Sequence, residues 1–300
     1  MGLNSPNLIL FNFIEVGEKM NINWYPGHMK KTRESIEKNL KMVDIVYELI
    51  DARIPYSSQN PLIEGIIKDK PRIVILNKYD LADSNANQLW QKYFEEKNIK
   101  SVLFNSLQGK GIDKLINTSH EVTADKRKAY ESRGVINRPI RAMIIGIPNV
   151  GKSTLINSLS GRKGAKTGNR PGITRTNQWI KIKGKLELLD TPGILWPKFE
   201  DPKVGLNLAF TGAIKDEILD TETLALRLVE RLLKIAPELL ANRYNIEVDK
   251  DGLETMERIA KKRGCIIRGG EIDYTKVSNI ILDEFRKGVI GNITLEYPKE

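Results

Sequence analysis

Gly146-Ile147-Pro148-Asn149-Val150-Gly151-Lys152-Ser153 fits the pattern G-x-x-x-x-G-K-[ST]. Two glycines in such a loop let backbone N–H groups turn inward around phosphate oxygens. The flanks agree. Ala142-Met143-Ile144-Ile145 reads as a buried strand leading in, and Leu155, Ile156 and Leu159 have helical spacing leading out. Charge and reach assign Lys152 to the β- and γ-phosphates and the Ser153 hydroxyl to Mg2+. Asn149, Val150, Gly151 and Thr154 complete the expected phosphate cradle.

Two further blocks specify which nucleotide. Asp190-Thr191-Pro192-Gly193 follows the apolar strand Leu186-Glu187-Leu188-Leu189, which puts the Asp190 carboxylate at a strand end where it can hold Mg2+. Gly193 offers an N–H to a γ-phosphate with no side chain in the way. Alone, this block is also an ordinary turn. Asn77-Lys78-Tyr79-Asp80 follows the strand Ile73-Val74-Ile75-Leu76. A carboxylate such as Asp80 accepts the paired N1–H and N2–H2 donors of guanine and has no such pair to accept from adenine. Asn77 would fix the loop and Lys78 would cover a face of the base. Together the blocks point to GTP, but the base-reading block precedes the phosphate loop and the Asp190 block comes last. That order describes a circularly permuted GTPase domain: a mostly parallel sheet with helices on both faces.

The chain resembles the circularly permuted GTPases of bacterial ribosome assembly, and within them the ribosome biogenesis GTPase A family; it is also similar to the mitochondrial ribosome-associated GTPases. Besides the three blocks, the resemblance is carried by Trp24-Tyr25-Pro26-Gly27-His28-Met29, Asp51-Ala52-Arg53-Ile54-Pro55, Arg170-Pro171-Gly172-Ile173-Thr174 and the stretch from Asp190 to Asp201. It implies GTP hydrolysis coupled to late maturation of the large ribosomal subunit. It further implies that Thr174 closes onto Mg2+ and the γ-phosphate, and that Ser106 offers a backbone N–H to the guanine. Asn149 matches an asparagine that some related GTPases use to hold K+; stabilising the turn is the other reading of it. The position after Asp190-Thr191-Pro192-Gly193, where many GTPases carry a glutamine that orients the attacking water, is Ile194. The resemblance gives that role to His28, with packing or RNA contact as the alternative, so His28, Lys152, Thr174 and Gly193 form the expected catalytic set. Asp51 and Arg53 read as a pair that shapes its own loop.

Composition sets the surroundings. The chain has 300 residues, 40% hydrophobic, enough for one large α/β core and a smaller unit. The expected division is a leader over 1–19, non-native or disordered, a GTPase domain over 20–205, and an all-helical domain over 206–300. One cysteine, Cys265, excludes a disulfide framework and suits a reducing cytoplasm, and no zinc site is expected. Leu8 to Ile14 is too short for a membrane span. Residues 20–205 carry 32 Lys and Arg against 19 Asp and Glu, whereas 206–300 carry 15 against 17. Between Thr154 and Leu186 there are eight cations and no acid. Such a run suits RNA phosphates or a solvated loop.

In the second domain, Leu224, Leu228, Val229, Leu232 and Leu233 form one helical stripe and Val277, Ile280, Ile281 and Phe285 another. Arg258, Lys261, Lys262, Arg263 and Arg268 surround a helix end at Gly264, which reads as an rRNA contact or as charge compensation of the helix dipole. A monomer bound to the large ribosomal subunit and its rRNA, carrying GTP or GDP with Mg2+ and with K+ as an open addition, is the expected working form. The alternatives are a GTPase acting on tRNA or the small subunit, and a GTP-dependent binding protein with negligible hydrolysis.

Overall fold

The computed structural model describes residues 34–67, 70–161, 179–182, 185–189, 201–214, 216, 219–248 and 250–298. The expected leader, His28, Thr174, Asp190 and Gly193 lie outside the described residues. The chain divides into two compact units, one of Trp24–Pro197 with Glu296–Glu300 and the other including Lys198–Leu295.

The first unit is built on six strands: β1 (Ile45–Asp51), β2 (Arg72–Asn77), β3 (Lys100–Phe104), β4 (Ile140–Gly146), β5 (Trp179–Ile182) and β6 (Leu186–Leu189). Their order across the sheet is β3-β2-β1-β4-β6-β5. All neighbours run parallel except β5, which pairs antiparallel with β6. Parallel strands buried on both faces are written as continuous apolar runs, which is why β1, β2 and β4 are legible as Val/Ile/Leu/Met stretches. The permutation is visible in the sheet. The strand leading into the phosphate loop is fourth in the chain yet central in space, next to β1, the first strand.

The helices of this unit are α1 (Pro55–Ser58), α2 (Pro61–Ile67), α3 (Ser84–Glu96), α4 (Ile112–Val122), α5 (Ala124–Glu131) and α6 (Lys152–Ser160), with helical residues 34–40 preceding β1. One face of the sheet packs Val46, Met143, Ile145 and Leu189 under Ile36, Leu40, Ile63 and Ile67, and Val74 and Leu76 under Trp90 and Phe94 of α3. On the other face, Tyr47 reaches α4, where its hydroxyl meets Ser119 Oγ at 2.7 Å.

The second unit is helical among its described residues: α7 (Pro202–Phe210), α8 (Thr221–Ile235), α9 (Pro237–Tyr244), α10 (Gly252–Lys262) and α11 (Tyr274–Arg286). Leu224, Leu228, Val229 and Leu232 of α8 are buried, as are Val277, Ile281 and Phe285 of α11. Within it, Glu284 accepts from Arg243 at 2.6 and 2.8 Å and from Arg263 at 2.7 Å. Arg286 forks onto Asp216 while donating to the Ala209 and Phe210 carbonyls at the end of α7.

Glu48 is the one acid in β1 before its last residue, and it is buried against the face that carries Arg72. Burial pushes its carboxyl up to about 7, against the pull of the Arg72 guanidinium 3.1 Å away and with the help of the nearby Glu64 charge. A raised carboxyl favours the folded state when protonated. Its contribution is therefore complete below the ordinary value of 4.5 and is lost as the pH rises through about 7. Urea unfolding from pH 5 to 8 is expected to show stability falling over this window, and Glu48→Gln is expected to flatten that slope; an unchanged slope in the variant assigns it to other groups.

Candidate active site

The carboxyl ends of parallel strands are where ligands bind in open α/β sheets. Here β1, β2, β3 and β4 deliver Asp51, Asn77, the Asn105–Gly111 turn and the 146–151 loop to one edge. Asp51 pairs directly with Asn77, and Leu49 with Gly146.

The phosphate loop is anchored by Ile147 and Val150, each 1% exposed. Asn149 (φ 58°) and Gly151 (φ 106°) have left-handed backbones, which turn successive amides to one side. A Cβ on Gly151 would stand 2.4 Å from Asn77 Nδ2, and one on Gly146 would stand 2.5 Å from the Leu49 carbonyl. Both glycines are therefore demanded by close approach. Helix α6 starts at Lys152 with no side-chain cap, whereas α3, α7, α8, α10 and α11 are each capped by an aspartate. Its first amides and dipole are left for an anion. The Lys152 ammonium is buried in the loop, donating to the Gly146 and Ile147 carbonyls at 3.0 and 2.7 Å. This cradle fits a nucleotide's phosphates.

The base-reading loop is joined to the cradle by Asn77. Its Nδ2 donates to the Val150 carbonyl at 2.7 Å, and its Oδ1 accepts the Ser106 N–H at 3.1 Å and the Ser106 hydroxyl at 2.8 Å. One buried side chain thus spans three loops. The Ser106 N–H, assigned from the resemblance to guanine, is given to Asn77 here, so in this geometry Ser106 acts as a brace. The amides of Leu107 and Gln108 both donate to Asn105 Oδ1 at 2.9 Å, and Gly111 (φ 107°) lets the turn close against the Leu103 carbonyl.

Lys78 adopts a left-handed backbone (φ 59°, ψ 31°) and sends its ammonium to Asp51 Oδ2 at 2.9 Å and the Asn149 carbonyl at 3.2 Å. Asp51 is 2% exposed and holds Arg53, itself 1% exposed, through Nε at 2.9 Å and the NH2 nitrogen at 2.8 Å. Burial alone would raise the Asp51 carboxyl; the Arg53 guanidinium and the Lys78 ammonium hold it well below the usual carboxylate range. The expected Asp51–Arg53 pair is present, and the sequence reading missed its third member, Lys78. No residue pattern marks it, because Lys78 reaches Asp51 only through the register of β1 against β2. Asp80, two residues on, is half-buried, and no group among the described residues bonds to its carboxylate. It is free to accept the donor pair of a guanine.

The Mg2+ set is described only at Ser153, partly exposed in the first turn of α6; Asp190 and Thr174 lie outside the described residues. Among the described residues, no group of three or more His, Cys, Asp or Glu could hold a metal. No described helix is long and apolar enough to cross a membrane. Arg127 lies 2.8 Å from Nδ1 of the partly exposed His120, and burial, Arg127 and Lys185 together lower the basicity of that ring.

Two substitutions test this geometry. Asp80→Ala removes a charged acceptor and is expected to weaken GDP binding about 10- to 100-fold while leaving the melting temperature in place. Gly151→Ala forces a methyl group against an Asn77 amide that three hydrogen bonds keep from moving, and is expected to abolish nucleotide binding. Titration with a fluorescent GDP checks both, and full affinity in either variant would displace the site from this edge.

Comparison with known proteins agrees with the geometry. A family profile described as "50S ribosome-binding GTPase" matches residues 141–262. Ribosome biogenesis GTPase A of Priestia megaterium is 50% identical over 283 residues, 94% of this chain and 98% of that protein. The protein of the same name from Bacillus pumilus is 49% identical over 281 residues, 93% of this chain and 100% of its own length. Among solved structures, GNP-bound YlqF from T. maritima superposes with a TM-score of 0.61 at 25% identity, covering 90% of this chain and 99% of that one. With a phosphate loop and the Asn77–Asp80 block joined on a permuted sheet and near-half identity over almost its whole length, the chain is a GTP-hydrolysing enzyme of the ribosome biogenesis GTPase A family.

Proposed function

We propose that this GTPase binds the immature large ribosomal subunit through rRNA and couples GTP hydrolysis to late maturation of that subunit and to its own release. The observation that carries the reading is the set of cations left over after internal pairing. In the helical unit, Arg258 is bonded to Glu254 and the Glu247 carbonyl, and Arg263 to Glu284. Lys261, Lys262 and Arg268 are exposed and have no partner among the described residues. Helix-end compensation accounts for the two lysines, which lie in the last turn of α10, and not for Arg268 beyond it.

A second cluster of cations, these bonded internally, gathers at the amino-terminal edge of the sheet. Burial and the Lys126 charge lower the Lys70 ammonium, and Lys126 and Arg138 reach the same Asp44 at 2.6 and 2.8 Å. More cations than acids meet at that edge, a pattern suited to a polyanion. The names of the relatives and of the matching family profile, which refer to the ribosome and to its 50S subunit, favour the same partner over tRNA or the small subunit.

In this reading Lys152 pairs with the phosphates, Ser153, Thr174 and Asp190 hold Mg2+, and Gly193 donates to the γ-phosphate. Asn149 is the residue that would hold K+. His28 positions the attacking water in place of the glutamine that Ile194 replaces. Because Asp190 and Gly193 are the last blocks of the domain over 20–205, ordering them is transmitted to the chain that continues into the helical region over 206–300.

Hydrolysis of GTP is expected to rise strongly with purified large subunits and not with small ones. His28→Ala is expected to lower the stimulated rate by about 100-fold while GTP still binds. Equal stimulation by both subunits, or none, overturns the partner; full stimulation in the variant overturns the role of His28.

A further inference from the structure

Glu296 opens the C-terminal segment that belongs to the sheet-bearing unit. Its carboxylate accepts the Ser57 N–H at 2.9 Å and the Ser57 hydroxyl, and its carbonyl accepts Trp90 Nε1 at 3.0 Å. Both partners are core residues, Ser57 at 1% and Trp90 at 2% exposure, so the segment sits in a formed socket. Ser57 lies in α1, whose N-cap Ile54 supplies no side-chain acceptor; Glu296, 239 residues away, supplies one. The next residue, Ser58, closes α1 onto Asp51: its Oγ accepts the Asp51 N–H at 3.0 Å and donates to the Ile54 carbonyl at 2.7 Å. Asp51 then holds the Lys78 ammonium, which also reaches the phosphate loop at the Asn149 carbonyl.

These bonds form a continuous path from the chain's last residues to the lysine that covers the base. We propose that Glu296 is a positioning residue for the guanine-nucleotide site, acting through α1 and Asp51 on Lys78. A buried carboxylate holds an ammonium in one place only if its own backbone is held; the β1–β2 ladder fixes one side of Asp51, Ser58 takes its N–H, and Glu296 fixes the neighbouring Ser57 of the same short helix. The inference rests on the GTP site alone and is independent of the ribosomal partner.

The test uses the full chain without ribosomes and follows release of a fluorescent GDP by stopped flow. Glu296→Ala is expected to speed release about fivefold, a coupling of about 1 kcal/mol. Glu296→Gln, whose amide oxygen still accepts the Ser57 N–H, is expected to lie nearer the parent. For GTP turnover, Glu296→Ala is expected to raise KM with kcat within about twofold, a split that general loss of folded protein does not produce. In a Lys78→Ala background the same Glu296 substitutions are expected to add nothing. Parent-like release from Glu296→Ala, or an equal acceleration with and without Lys78, overturns the proposal. If the alanine variant does not fold, the glutamine variant in the same two backgrounds decides it by the same criterion.

Discussion

The side-chain amide of Asn77 is the joint on which the nucleotide site depends. It combines a donating nitrogen with an accepting oxygen, and the structure uses both: the nitrogen donates to the Val150 carbonyl of the phosphate loop, and the oxygen accepts two bonds from Ser106. An aspartate in this place would offer no donor, and a leucine would leave the Val150 carbonyl and the Ser106 hydroxyl unsatisfied at a cost of about 1–3 kcal/mol each. Because Gly151 approaches the same amide, the loop has no slack. The Asn77–Asp80 block and the phosphate loop are thus one joined construction, although they follow strands separated by more than sixty residues in the chain.

That rigidity explains why permutation is tolerated. The site needs the carboxyl ends of β1, β2, β3 and β4 side by side, and hydrogen bonding between strands does not depend on which is made first. Re-ordering the chain changes only which connections cross the molecule. Here the segment from Ile112 to Pro139 carries the chain from the first half of the sheet to β4, running through α4 and α5 and bonding across to Asp44, the residue before β1. The Asp44 carboxyl is held low despite burial, by Lys126, the Arg141 amide and Arg138. One paired acid therefore fastens the crossing segment to the central strand.

Much of this was legible in the residues themselves. Strands buried on both faces write themselves as apolar runs, so β2, β4 and β6 and the blocks that follow β2 and β4 could be placed from sequence. The apolar stripes of α8 and α11 were equally plain, since burial selects one face of each. What could not be read was contact between distant residues. Nothing in Asp51-Ala52-Arg53 says that the carboxylate has a second cation to hold, because Lys78 meets it only through the register of β1 against β2. Nor does Ser106 announce that its N–H is spent on Asn77, or Glu296 that it returns to α1.

Lys78 shows why such long-range contacts matter for chemistry. Its left-handed backbone is uncommon for a residue with a Cβ and costs about 1–3 kcal/mol, so the conformation persists only where surrounding bonds over-determine it. Asp51 and the Asn149 carbonyl provide that restraint, one from the buried strand end and one from the phosphate loop. With the ammonium held, Asp80 two residues later is presented with its carboxylate unspent. Strain at one residue and freedom at another are therefore linked: the backbone turn that is costly at Lys78 is the turn that leaves the Asp80 carboxylate unspent two residues later.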